Sequence, residues 1–224
     1  MRHHAPRTDL ATHSVENQSE PLVGVNWYSD DAMLRDALAR NGADVHADRL
    51  SSMGAEIGSD SVQDLARMAN ENPPKFKPFD RFGHRIDEVE FHPAYHALME
   101  LGLAHGVSSA AWTEDQAPHS LHAALLMLMG TADAGVCCPQ SMTYASVPAL
   151  KKSNWTGPWI QGVTSGRYDP RFLPPEDKVG LTLGMAMTEK QGGSDVRANA
   201  TTAESQDGDV VTLTGHKWFC SAPM

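Results

Sequence analysis

The feature that most limits how this chain can fold is a change of rhythm near residue 180. Upstream, apolar residues recur every three to four positions; downstream they tend to alternate with polar ones. A period of about 3.6 buries one face of a helix, and a period of about 2 buries one face of a strand. The spacing therefore predicts a helical body followed by β structure, joined through the proline- and glycine-bearing stretch 153–180. With 224 residues and 41% hydrophobic content, the chain is long enough for one domain or two small ones with a packed core.

The helical half reads in segments. Ser29 or Asp30 can cap a helix whose apolar face is Met33, Leu34, Ala37 and Leu38, stopped at Asn41-Gly42. A second helix is expected over 46–57, ending at Gly58. A third begins near Ser59-Asp60, presents Val62, Leu65, Ala66 and Met68, and ends before Pro73-Pro74. Residues 76–91 alternate around Gly83 and predict a hairpin-like excursion. Helix resumes at Pro93, a favoured first helical position. Residues 119–134 are apolar on most faces and read as a central buried helix. Another helix is expected from Ser141 through Tyr144 and Val147 to Lys151, perturbed by Pro148. Residues 153–180 read as loop. Strands are expected at 181–187, 200–204, 210–213 and 217–221, with Asp207-Gly208 as a hairpin turn. The fold class is thus α+β: a polar, mobile tail over 1–25, a helical domain over 26–180, and the first strands of a β domain over 181–224.

Acidic residues number 28 against 18 basic, a formal charge of −10. That balance argues against an autonomous grip on nucleic acid, which needs a basic surface. Residues 1–21 lack the apolar core of a secretory signal, and the longest strongly apolar run, 123–129, is far below the roughly 20 residues a membrane span needs. A soluble, cytoplasmic protein without membrane contact is expected. Cys137, Cys138 and Cys220 do not form a disulfide framework, and adjacent Cys137-Cys138 are not spaced as a zinc pair. His92 and His96 lie four apart, as metal ligands sometimes do, but no third ligand accompanies them; His92 reads as a helix-start residue and no metal is expected. Trp155 and Trp159 read as packing against the β part.

Chemistry concentrates in two motifs. Residues 186–198 read AMTEKQGGSDVRA. Gly192 and Gly193 lack a Cβ and let a ligand approach the backbone closely. Ser194 offers a hydroxyl and an N–H, and turn-like N–H clusters suit phosphate oxygens. Thr188 follows the apolar run 181–187, at the end of an expected strand. The second motif, LTGHKWFCS over 213–221, carries Gly-x-Lys, an aromatic and a serine two residues later.

The first motif resembles the flavin-binding signature of the acyl-CoA dehydrogenases. Ala186, Met187, Thr188, Glu189, Gly192, Gly193, Ser194, Asp195 and Ala198 fill every specified place of that pattern. Upstream, WYSDDAMLRDALARNGA, AAWTED, CCPQSMTYASVPAL and SGRYDPRFLPPEDKVGLTLG resemble the AidB-like, alkylation-response branch of that family, from about Asn26 onward. The resemblance implies an FAD-dependent oxidoreductase, homotetrameric when complete, with weak short- or branched-chain acyl-CoA dehydrogenase activity. It also implies that the chain is the N-terminal part of a longer protein or a truncated reading frame, since the family continues through more β structure and a C-terminal helical bundle, and it implies affinity for duplex DNA through a C-terminal domain that this chain does not contain. Carried over, Met185, Met187 and Thr188 line the flavin ring, and Thr188 bonds its pyrimidine edge. Gly192 and Gly193 allow the approach, and Ser194 meets the phosphate region. Phe219 backs the isoalloxazine where most members have Trp, Ser221 places a hydroxyl near N5, and Cys220 joins the same cofactor-binding set. Asp195 and Glu189 read as structural. The family's catalytic glutamate lies outside this chain, so no catalytic residue is assigned and the fragment alone is expected to be inactive. Two alternatives stand beside this: a DNA-protecting flavoprotein with a vestigial dehydrogenase site, and a non-catalytic truncated product.

Overall fold

In a computed structural model of the chain, which describes residues 12–154, 156–208 and 210–221, the organising element is helix α6 (Pro118–Ala132). Leu121, Leu125, Leu128 and Met129 of this helix are fully buried. Around it pack α1 (Ala32–Arg40), α2 (Ala47–Ile57), α3 (Asp60–Glu71), α5 (Ala110–Thr113) and α7 (Ala134–Leu150). Helix α4 (Pro93–Ala104) joins α3 to α7, and α8 (Gly157–Val163) leans on α7. The core is one cluster running from Leu50, Met53 and Ile57 through Leu98 and Met99 to Val136. A helix that is apolar on most faces needs neighbours on most sides; α6 has them except along Ala123, Met127 and Gly130, which are exposed.

Local chemistry sets the ends. Ser59 accepts the Val62 N–H and caps α3 as expected. At α1 the cap is Asp31, which accepts the Leu34 N–H at 2.9 Å. Neither Ser29 nor Asp30 serves: the Ser29 hydroxyl bonds Ser51, and Asp30 turns back to the Asn26 N–H. Helix α7 begins seven residues before Ser141, because the Asp133 carboxylate accepts the N–H groups of Gly135 (2.6 Å) and Val136 (3.3 Å). It carries Pro139 and Pro148 within it. The stretch expected to be loop holds α8, where Pro158 sits in the first turn, the one place a missing N–H costs nothing. Of the two tryptophans there, Trp159 lies in α8 and Trp155 lies outside the described residues.

Two antiparallel hairpins complete the chain. Strands β1 (Lys75–Phe79) and β2 (Arg85–Glu90) pair Lys75 with Glu90 and Phe76 with Val89, turning at Gly83 (φ +84°). Strands β3 (Thr202–Ser205) and β4 (Val211–Thr214) pair Thr202 with Thr214 and Ser205 with Val211. They join through the expected turn, in which Gly208 takes φ +66°. The strands expected at 181–187 and 217–221 do not form. The first run spends its backbone on the helical layer: Leu181 N–H donates to Gly162 O (3.2 Å) and Leu183 N–H to the Thr143 hydroxyl (3.1 Å). The second is interrupted by Phe219, whose φ of +55° is left-handed. The residues of the expected tail that are described begin at Thr12; at its inner end Gly24 N–H donates to Gly58 O (2.7 Å), fastening the chain across α2.

Candidate functional site

The two motifs, well separated in sequence, are joined in space by backbone pairing. Trp218 N–H donates to Thr188 O (2.9 Å), and Lys190 N–H donates to His216 O (3.0 Å). The first motif is itself a tight turn: Glu189 and Gly192 exchange both backbone bonds, at 3.1 and 3.0 Å. Thr188 therefore sits beside an isolated bridge, between Glu189 and Lys217, rather than at a strand end.

Glu189 holds this arrangement from inside. It is 2% exposed. Its carboxylate accepts the N–H groups of Thr201 (3.0 Å) and Ala200 (2.6 Å), the Gln191 amide (2.6 Å) and the Lys217 ammonium (3.0 Å). Hydrogen bonds from Thr201 and Ala200, with Lys217 and Gln191 adding to them, overcome desolvation and hold the carboxyl well below the usual carboxylate range. A carboxylate so occupied is a fastener, not a proton acceptor. Lys217 also reaches Met187 O at 3.3 Å, which the Asn199 amide bonds at 2.8 Å. Asp195 caps a short 3-10 turn through the Arg197 N–H (3.3 Å).

What remains unspent faces outward. Among the described residues, no protein group bonds the hydroxyls of Thr188, Ser194 or Ser221. Thr188 is half-buried, whereas Ser194, Cys220 and Ser221 are exposed. Met185 and Met187 are about half exposed, at 48% and 49%, and Phe219 is 77% exposed. Gly193 lies against Thr188, and a Cβ there would fall 2.8 Å from Thr188 Cγ2; a Cβ on Gly192 would meet nothing within 4 Å. Glycine is therefore needed at 193 for packing, while 192 leaves open backbone. Free hydroxyls, uncovered glycine backbone, two thioethers and an aromatic suit a flat heteroaromatic ring with a hydrogen-bonding edge and an attached phosphate. The residues present fit FAD.

Ser221 also lines a second feature, a cleft of about 990 Å³ between α3, the β1–β2 hairpin, α4 and the α6–α7 junction. Its walls include Ala66, Phe76, Val89, Phe91, Tyr95 and Cys138. Phe91 and Tyr95 stack with centroids 4.2 Å apart, and burial pushes the Tyr95 phenol up to about 12. Sequence reading did not find this cleft, since its walls come from four separated elements. A smaller pocket of about 180 Å³ lies between β2, α4, α7 and the 168–184 segment. There His96 bonds the Tyr168 hydroxyl at 2.7 Å, and buried Asp169 binds Arg171 through both oxygens, at 2.8 and 2.6 Å. His92 caps α4 by accepting the Ala94 N–H (3.2 Å). Among the described residues no group of three or more metal-ligating side chains forms, and no helix is long and apolar enough to cross a membrane. Burial pushes the Cys137 thiol up to about 11, away from thiolate chemistry.

Known proteins share this organisation. Residues 17–170 match the family model described as the adaptive response protein AidB N-terminal domain, and residues 184–223 match the acyl-CoA dehydrogenase middle domain. The chain is 42% identical over 220 residues to AidB of Escherichia coli K12, covering 95% of this chain and 40% of that protein. It is 32% identical over 206 residues to acyl-CoA dehydrogenase family member 11 of Caenorhabditis elegans, covering 88% of this chain and 33% of that protein. The chain thus spans about two fifths or less of the length of these relatives. The crystal structure of C. elegans ACDH-11 in complex with C11-CoA superposes with a TM-score of 0.74 at 28% identity, covering 96% of this chain and 37% of that one. The apo-form of Bd2924 gives a TM-score of 0.75 at 25% identity, covering 92% and 42%. The chain belongs to the AidB N-terminal domain family, and its last forty or so residues continue into the acyl-CoA dehydrogenase middle domain.

Proposed function

We propose that this chain is the N-terminal part of an FAD-dependent acyl-CoA dehydrogenase-like oxidoreductase of the AidB type. One observation carries the reading: the segment bearing Ser221 is bonded to Thr188 at one end and lines the apolar-walled cleft at the other. A cofactor edge held at Thr188 is thereby set beside a space for an acyl chain. Thr188 would bond the flavin pyrimidine edge through its hydroxyl and N–H, Ser194 the phosphate region, and Phe219 would back the ring beside Met185, Met187 and Cys220. FAD, when bound, supplies the acceptor for a hydride leaving the acyl β carbon. Ser221 would place a hydroxyl where a hydrogen bond tunes the flavin electronically. The cleft walls Phe76, Phe91 and Tyr95 would exclude water from an acyl chain. The α proton needs a carboxylate base, and Glu189 is disqualified by its internal bonds; the base is assigned to a part of the full-length protein outside these 224 residues.

The test is made on the full-length gene product. It should purify yellow, release FAD on denaturation, and reduce an electron-accepting dye only when acyl-CoA is added. A colourless protein that FAD does not reconstitute would end this reading.

A further inference from the structure

The two halves of the candidate flavin site meet through very few backbone contacts. Glu189 pairs once with Lys217 as an isolated bridge, and no continuous ladder holds 188–194 against 216–221. Two-residue contacts of this kind do not set a geometry firmly unless something else fixes them. The something else here is an ion pair: the Lys217 ammonium lies 3.0 Å from the buried Glu189 carboxylate, with its side chain 30% exposed against 2% for the glutamate. The same carboxylate gathers Ala200 and Thr201, so it also ties in the approach to β3. The same ammonium gathers Met187 O, one residue before Thr188. Gly215 packs directly on Thr201, which leaves the Lys217 segment no room to shift toward β3.

We propose that Glu189 and Lys217 form a positioning clamp that fixes the Thr188–Ser194 turn relative to the Phe219–Ser221 segment, and so sets the spacing at which the two halves grip one flavin. The proposal rests on the flavin reading for its consequence, but not for its geometry. Glu189 is buried and Lys217 is spent on Glu189 and on Met187 O; they act through Thr188, which shares a bond with Trp218, and through Phe219, which follows it. Removing the Lys217 charge leaves the Glu189 carboxylate buried without its cation, which is the costly case. Removing both relieves that penalty but still loosens the spacing.

The experiment uses the full-length protein with Glu189→Gln, Lys217→Met, the pair together, and Lys217→Arg. Hydrogen-exchange mass spectrometry reads peptides covering Lys190 and Trp218, with α6 as the control for global folding. Added FAD reads the grip. Both single variants should lose protection at Lys190 and Trp218 while α6 stays protected, and bind FAD at least about tenfold more weakly, the scale set by a hydrogen bond to a charged group. The double variant should lose less than the product of the singles, and Lys217→Arg should restore most of both readouts. Unchanged protection at those two amides would overturn the clamp. Protection lost with FAD affinity unchanged would show that it positions nothing for the cofactor. A wild-type protein that takes up no FAD sinks the flavin reading itself, and the exchange data then decide the clamp alone.

Discussion

At the scale of single residues, the site is defined by which polar groups are spent and which are left. Thr188 spends its carbonyl on Trp218 and keeps its hydroxyl. Thr188→Val should leave the fold intact and weaken FAD retention in the full-length protein by about fivefold, the loss of one hydrogen bond worth about 1 kcal/mol net. Equilibrium titration of the apoprotein with FAD checks this, and an unchanged affinity would remove Thr188 from the site. A different residue governs pH behaviour. His122 is buried on α6, where it stacks on Tyr144 at 3.7 Å and its ring Nδ1 lies 2.6 Å from Val107 O. Burial, with a smaller push from His119, lowers its pKa from the ordinary 6.5 despite the bond to Val107. The unfolded chain then binds a proton that the folded one refuses. The stability that the neutral ring contributes is full above 6.5 and is lost as pH falls through the depressed folded value. His96, also lowered by burial, adds in the same direction. The urea midpoint of the helical body should fall as pH drops from 6.5 through that value, and less steeply in His122→Gln.

At the scale of elements, the ends of α2 show how a glycine can be fixed by packing rather than by turn geometry. Gly58 has an ordinary helical φ of −76°, but a Cβ there would run into the Val25 carbonyl oxygen. Gly58→Ala should lift the 23–27 strap off α2 and destabilise the helical body by about 1–3 kcal/mol, the usual cost of overpacking; urea denaturation followed by circular dichroism reads it. This strap was not legible in the sequence, because Val23, Gly24 and Val25 carry no periodic signal. Helices α1 to α3 were legible, since each pairs an apolar stripe with a stop such as Asn41-Gly42 or Pro73-Pro74; α4 was legible from Pro93 at its start, and α6 from a run apolar on most faces. Helix α8 was hidden by Gly157-Pro158, which read as breakers yet serve as a first turn. The run 181–187 misled in the opposite sense: its apolar residues look like a strand, but the strand-forming bonds went to Gly162 and Thr143. At the candidate site, Thr188, Gly193 and Ser194 were legible because hydroxyls and glycines in a fixed order are chemically unusual. The Glu189–Lys217 pair was half legible: both residues stood in the motifs, but only the fold shows that they meet. The cleft walls were not legible at all, because whether Phe76, Phe91 and Cys138 face one space depends on how four elements pack.

At the scale of the whole molecule, the two parts differ in how much of themselves they bury. The helical body encloses Leu50, Met53, Ile57, Leu98 and Leu125 completely, whereas Val210, Val211, Leu213, Trp218 and Phe219 are between 46% and 77% exposed. Every residue of β3 and β4 is exposed, and the pair forms a two-stranded ribbon with no further strand beside either edge among the described residues. Such a ribbon is marginal alone, and bare edges invite pairing with other chains. Each large apolar side chain left in water forgoes roughly 1.5–3 kcal/mol of burial, against a typical domain stability of about 5–15 kcal/mol. The formal charge of −10 opposes association only weakly at physiological salt, and it opposes duplex DNA more directly. The 224-residue chain expressed by itself should therefore bind duplex DNA no better than a generic acidic protein in a salt titration. It should also show two regimes of hydrogen exchange: slow across Pro118–Ala132, fast across Thr202–Ser205 and Val211–Thr214. Light scattering should rise with concentration, as bare strand edges find one another, and FAD should not be retained. Strong protection across Val211–Thr214 in a preparation shown to be monomeric would mean that the ribbon is stable as it stands. The exposed valines and aromatics would then need another explanation than a missing neighbour.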